Sequence, residues 1–154
     1  MEQNNLSQSV SLAVNDVMST ILGVDVSDNL KILDGDIKEK KISGVMLLLG
    51  DKKKLATISM SYNTAQNIVS YMTGLDFNDI SNEEIYDGAA ELVNMVLGRA
   101  KVFLVNTEDY FEITPPFTVI GDDHKFIIKT RLNEYNKVFI LDDIELFISI
   151  FFID

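Results

Sequence analysis

Apolar residues fall at helical spacings mainly in the first two thirds of this chain, and hairpin-like apolar runs lie between and after them. That order argues for an α+β fold, an antiparallel sheet packed against helices, rather than a doubly wound parallel sheet. Val10, Ala13, Val14, Val17 and Ile21 recur at steps of three and four, which predicts an amphipathic helix over residues 6–22 with Gly23 as its stop. Residues 29–33 read as a short strand. Residues 45–49 and 55–60 flank Gly50-Asp51-Lys52-Lys53 and read as a β-hairpin. Asn63, with Gln66 three residues on, reads as a capping box opening a second helix that buries Ile68, Val69 and Met72 and stops at Gly74. Residues 75–80 read as a loop. Ser81 and Glu84 form another capping box and open a third helix, which passes Gly98 and runs as far as Asn106. Pro115-Pro116 forces extended chain. Residues 125–132, 138–141 and 145–153 read as strands, with Asn133-Glu134-Tyr135-Asn136 and Asp142-Asp143 as their turns.

The 154 residues contain no Pro/Gly/Ser-rich linker, so residues 1–154 are expected to form a single domain. The formal net charge of −11 weighs against nucleic acid, whose binding is largely phosphate neutralisation by Lys and Arg. The basic clusters are Lys38-Glu39-Lys40-Lys41 and Lys52-Lys53-Lys54, and the second sits in a hairpin turn, where charge is ordinarily just solvated. Acidity does suit a protein partner with a basic rim around its site. The chain has no cysteine, which removes disulfides, thiolate metal sites and cysteine nucleophiles together. The polar, acidic start lacks the basic and apolar stretches of a signal peptide. The longest apolar run, residues 146–153, is interrupted by Ser149 and falls short of the roughly 20 residues a membrane helix needs. A cytoplasmic location without membrane contact is therefore the expectation.

The third helix carries the chemistry-bearing pattern. At about 100° per residue, Ile85, Ala89, Leu92, Val96 and Ala100 share one stripe, which must face the core. Asp87, Glu91, Asn94 and Gly98 share a stripe on nearly the opposite side. Glu91 and Asn94, three apart, are neighbours on the helix surface. Gly98 lies one turn further, and a mid-helix glycine costs about 1 kcal/mol relative to alanine. Close approach by another backbone is one reason to tolerate it. By periodicity alone, Glu and Asn on an exposed helix face are ordinary solvated surface.

The run from Asp87 through Glu91, Asn94 and Gly98 to Lys101 resembles the signature helix of the CheC/CheX/FliY chemotaxis phosphatases. Their motif is an Asp or Ser, a Glu four residues on, an Asn three further, and a proline some twenty residues later. Pro115-Pro116-Phe117-Thr118-Val119-Ile120-Gly121 is similar to that last segment. Residues 55–72, a strand running into a capped helix, resemble the family as well. The resemblance implies a CheC-like fold with the signature helix exposed on one face. A single motif favours the CheX type over CheC-like proteins, which resemble a duplication. Displacing the first helix by 75 residues lays Ile21-Leu22-Gly23 on Val96-Leu97-Gly98, a three-residue match that chance also produces. It sets Asp16 opposite Glu91 and Ser19 opposite Asn94; if the repeat is real, that copy lacks the amide and is inactive.

The resemblance further implies a partner, a phosphorylated CheY-like response regulator that brings its own Mg2+, so that this chain binds no cofactor. Hydrolysis of phospho-aspartate releases a carboxylate of pKa near 4, which needs no general acid. What is missing is an aligned water, and a carboxamide can both accept from it and donate to it. Asn94 would orient that water, as Gln does in small GTPases. Glu91 would pair with a partner lysine, Asp87 would support docking, and Gly98 would admit the partner closely. A homodimer joined through sheet edges is implied too, consistent with the apolar faces of residues 146–153. The alternatives are a non-catalytic module like the middle domain of flagellar switch proteins, and a phosphatase of a regulator outside chemotaxis. His124 follows Asp122 and Asp123, but three adjacent residues do not readily converge on one metal ion and read as a turn. Phe147, Phe151 and Phe152 read as core.

Overall fold

The computed structural model describes residues 2–129 and 133–153. Among these residues seven strands form one antiparallel sheet: β1 (Lys31–Asp34), β2 (Ile42–Leu49), β3 (Lys53–Met60), β4 (Glu112–Ile113), β5 (Phe117–Ile120), β6 (Asn133–Leu141) and β7 (Ile144–Phe152). Their order is β1-β6-β7-β3-β2-β4, with β5 also paired to β2. Three helices, α1 (Glu2–Leu22), α2 (Tyr62–Thr73) and α3 (Asn82–Phe103), pack on one face. The fold is the α+β arrangement that the sequence predicts.

The register explains the layers. Ile42, Met46 and Leu48 of β2, Ala56, Ile58 and Met60 of β3, and Leu146, Ile148 and Ile150 of β7 join the helices in one hydrophobic core. The alternate residues Ser43, Thr57, Ser59 and Ser149 lie on the far face, buried but polar. The three serine hydroxyls are satisfied: Ser43 and Ser59 meet at 2.6 Å between oxygens, and Ser149 donates to Asn136 Oδ1 at 2.6 Å. His124 meets Ser43 at 2.6 Å through Nε2 and the Gly121 carbonyl at 2.8 Å through Nδ1. It therefore fastens the segment after β5 over this face, while Asp122 and Asp123 form the turn before it.

β7 sits in the middle of the sheet, between β6 and β3. Its apolar pattern is thus satisfied inside the chain and requires no second copy. Among the described strands the free outer edges belong to β1, exposed throughout, on one side, and on the other to the short β4 and to β5, where Phe117 and Ile120 are half exposed.

Four expectations need correction. The second helix is capped by Ser61, whose Oγ accepts from the Thr64 N–H at 3.1 Å; Gln66 instead donates to the Phe77 carbonyl. Residues 125–128 are not a strand, residue 129 is a bend, and residues 130–132 lie outside the described residues. Residues 133–136, which read as a turn, are the start of β6, where a register shift between Asn133 and Tyr135 absorbs the irregular pattern. The turn at Asp142-Asp143 is present, with Asp142 in the left-handed region at φ 54°. The third helix stops at Phe103 rather than Asn106. Gly23 and Gly74 end their helices at φ 73° and 74°, as C-terminal stops should.

Candidate functional site

α3 is fixed at its start by the predicted capping box. Ser81 Oγ accepts from the Glu84 N–H, and Glu84 Oε1 accepts from the Ser81 N–H, both at 3.2 Å. Glu83 and Glu84 also place negative charge at the positive end of the helix dipole. The predicted core stripe is buried in full: Ile85, Leu92, Val96 and Ala100 are inaccessible and Ala89 is nearly so. Burying each of the larger side chains contributes roughly 1.5–3 kcal/mol.

Two glycines let this helix settle deeply. A Cβ at Gly44 of β2 would lie 2.2 Å from the Ala89 carbonyl oxygen, so the helix backbone rests directly on the strand. A Cβ at Gly88 would lie 2.2 Å from Val69 of α2. Beyond them, Thr118 of β5 donates to the Tyr86 carbonyl at 2.7 Å. The double proline has its physical account here. β4 pairs with β2 at Leu48–Leu49 and β5 pairs with it at Ile42–Val45, leaving residues 114–116 at the gap. There Thr114 alone bonds Leu47, and prolines without N–H groups cost nothing. The last turn is tied by Lys101 to Glu112 at 2.6 Å. The Glu112 carboxylate holds the Lys101 ammonium above the usual lysine range, and Lys101, then Tyr110, holds Glu112 below its own.

On this braced helix Asp87 and Glu91 are exposed, and Asn94 and Gly98 half-buried. The structure brings all four to one line facing outward, as the wheel predicts. The rise from Asp87 to Asn94 is about 10 Å, and from Glu91 to Asn94 about 4.5 Å. Among the described residues none of the Asp87, Glu91 and Asn94 side chains has a hydrogen-bond or ion-pair partner, so all three remain available to an incoming molecule. No described atom comes within 4 Å of a Cβ placed on Gly98, so nothing among the described residues explains that glycine. The arrangement is a carboxylate and a carboxamide side by side on a rigid, convex surface. It can orient a water and pair a cation, but it encloses no substrate by itself. Among the described residues no group of three His, Asp or Glu side chains could hold a metal ion.

Asp16 and Ser19 of α1, set opposite Glu91 and Asn94 by the displaced alignment, are engaged elsewhere. Asp16 pairs with Arg99 Nε at 3.0 Å, and Ser19 Oγ accepts from the Val26 N–H at 3.1 Å. Sequence reasoning did not identify Met95 and Val102, which border the stripe on the side of α1. Val102, an apolar residue one turn past Gly98 on the polar side of the wheel, was the available signal.

Solved structures share this architecture along nearly the whole chain. A CheC-like superfamily protein from Shewanella sp. PV-4 matches with a TM-score of 0.79 and 22% identity, over 96% of this chain and 97% of that one. Chemotaxis protein CheX from Vibrio vulnificus matches with a TM-score of 0.78 and 23% identity, over 96% and 95%. The CheX of a CheX-CheY-BeF3-Mg2+ complex from Borrelia burgdorferi matches with a TM-score of 0.75 and 22% identity, over 96% and 97%. The fold is that of the CheC-like chemotaxis proteins. The family model described as chemotaxis phosphatase CheX matches residues 42–139, more than half of the chain, and the chain belongs to that family. No curated protein matches it.

Proposed function

We propose that this chain dephosphorylates the aspartyl-phosphate of a CheY-like response regulator by presenting Asn94 to a water in the regulator's site. The observation that carries the reading is the unpartnered pair Glu91 and Asn94 on a helix braced at both ends, in a chain of the chemotaxis phosphatase CheX family. The CheX-CheY-BeF3-Mg2+ complex of the Borrelia relative supports the partner, and its Mg2+ supports a reading in which the regulator, not this chain, supplies the metal.

The chemistry asks little of this chain. The water oxygen forms a bond to phosphorus, the bond from phosphorus to the aspartate oxygen breaks, and the carboxylate leaves with the electron pair. Its pKa near 4 lets it depart unprotonated, and the water's proton passes to phosphate or solvent. The Asn94 carboxamide accepts from the water and donates to it, which fixes its line of attack. Glu91 pairs with a lysine of the regulator, Asp87 supports docking, and Gly98 lets the partner's surface come close.

The test is loss of acid-labile phosphate from candidate response regulators with and without the chain. Acceleration supports the reading; binding without acceleration would make the chain a docking module. Glu91→Ala should weaken binding as well as turnover, with the binding loss shrinking as salt is raised. A Glu91→Ala loss confined to turnover at every salt concentration would contradict the charge pair. A homodimer is part of the same proposal, joined through the sheet's outer edges, at β1 or on the side of β4 and β5. Light scattering should give twice the chain mass, and a monomer at about tens of micromolar would remove the dimer from the account.

A further inference from the structure

The exposed line of α3 changes character beyond Asn94. Towards the helix start it is acidic, with Asp87 and Glu91; towards the end it is apolar. Val102 is 57% exposed, and Phe103 and Val105 beside it are also open to solvent. Met95, Gly98 and Val102 form the apolar part of one wall of an open groove of about 730 Å3 between α3 and α1, with Val17 and Thr20 on the other wall, and the Arg99–Asp16 ion pair joins the two walls beside them. Gly98 keeps its wall low, since the space a side chain would occupy is empty of described atoms.

A single exposed valine on a helix is unremarkable. Its position gives this one meaning. Val102 lies about 12 Å along the helix from Asn94 and about 80° round it, on the flank that faces α1. A standard protein interface covers about 800 Å2 on each partner, equivalent to a disc of radius about 16 Å. A folded partner that takes Asn94 into its own site therefore rests on the groove as well. Asn94 reaches the partner at the centre, with acid on one side and an apolar recess on the other. Charges at such an interface favour encounter and register, whereas a desolvated apolar anchor in a recess sets how long the complex lasts.

We propose that the α1–α3 groove, rimmed by Val102 and Met95, receives an apolar side chain from the surface of the phosphorylated regulator beside its phosphorylation site. This deepens the phosphatase reading and rests on it. The groove determines affinity and choice of regulator, while Asn94 determines the rate of the chemical step. It also gives α1 a role in recognition, through Val17 and Thr20, without a catalytic group of its own.

The experiment follows the decay of phosphorylated regulator at increasing concentrations of the full chain, to separate KM from kcat. Val102→Gln keeps the helix and adds no charge; it should raise KM about tenfold and leave kcat within about twofold. Thr20→Arg, which fills the groove from the opposite wall, should do the same, and Val102→Ile should restore wild-type KM. Thermal unfolding of each variant confirms that it is folded. Unchanged KM in both Val102→Gln and Thr20→Arg would overturn the proposal, as would a fall in kcat with KM intact. If the wild-type chain accelerates no decay, the phosphatase reading fails separately. Direct titration against the phosphorylated regulator then decides the groove alone: weaker binding by Val102→Gln sustains it, and equal binding overturns it.

Discussion

Helices α1 and α3 are nearly equal in length, 21 and 22 residues, and pack against each other over the same sheet. Both bury a full apolar stripe. They differ in what becomes of their polar groups. In α1, Asn15 bonds Ser27, Asp16 pairs with Arg99, Ser19 caps the Val26 N–H, and Thr20 donates to the Asp16 carbonyl. In α3, Asp87, Glu91 and Asn94 have no partner among the described residues. The two glycines that a displaced alignment superposes also differ. Gly23 ends α1 in the left-handed region, whereas Gly98 sits inside α3, five residues before its end. Shape and core packing do not distinguish the two helices. The distinction lies in which polar groups the fold leaves unsatisfied, on a helix too firmly held to rearrange and satisfy them.

Three substitutions sharpen that comparison. Gly44→Ala attacks the firmness of α3 itself. The new Cβ meets the Ala89 carbonyl, so helix and strand must separate, at a cost of roughly 1–3 kcal/mol or more. Urea unfolding should show a clear drop in midpoint, and an unchanged midpoint would mean that α3 is not locked to the sheet. Ser19→Ala removes the acceptor for the Val26 N–H and should cost about 1 kcal/mol of stability, with turnover at saturation within about twofold. Asp16→Ala breaks a half-exposed ion pair and should change stability by about 0.5 kcal/mol or less, again with turnover within about twofold. A tenfold loss of turnover from either α1 variant would erase the contrast between the helices.

Much of this was legible because it is local. The capping box at Ser81 and Glu84, the stops at Gly23 and Gly74, and the buried stripe from Ile85 to Ala100 each depend on residues within a few turns of one another. The expectation at Asn63 and Gln66 failed for a local reason as well, since Ser61 two residues earlier already offers an oxygen to the Thr64 N–H. Long-range pairing was not legible. Residues 133–136 carry turn-forming side chains, yet pairing with β7 draws them into β6. Residues 125–128 have the composition of a strand, but β2 already has β3 on one side and β4 and β5 on the other. His124 holds the start of that segment to Ser43 on the far face instead. The site stripe was visible on the helix wheel, but its meaning came from the family resemblance. The braces that make it rigid, Gly44 against Ala89 and Thr118 on Tyr86, join residues far apart in the chain and leave no periodic trace.

The central claim is that Asn94 acts in the chemical step and not in holding the partner. It is tested most directly by Asn94→Ala, measured as turnover of phosphorylated regulator at saturating chain and, separately, as affinity for it. The account predicts a fall in turnover on the order of a hundredfold, as for removal of one well-aimed transition-state group, with affinity nearly unchanged. Asn94→Asp, which keeps the shape but sets a negative charge beside the phosphoryl group, should be nearly inactive. Retention of most of the activity by Asn94→Ala, or a loss that is wholly a loss of binding, would contradict it.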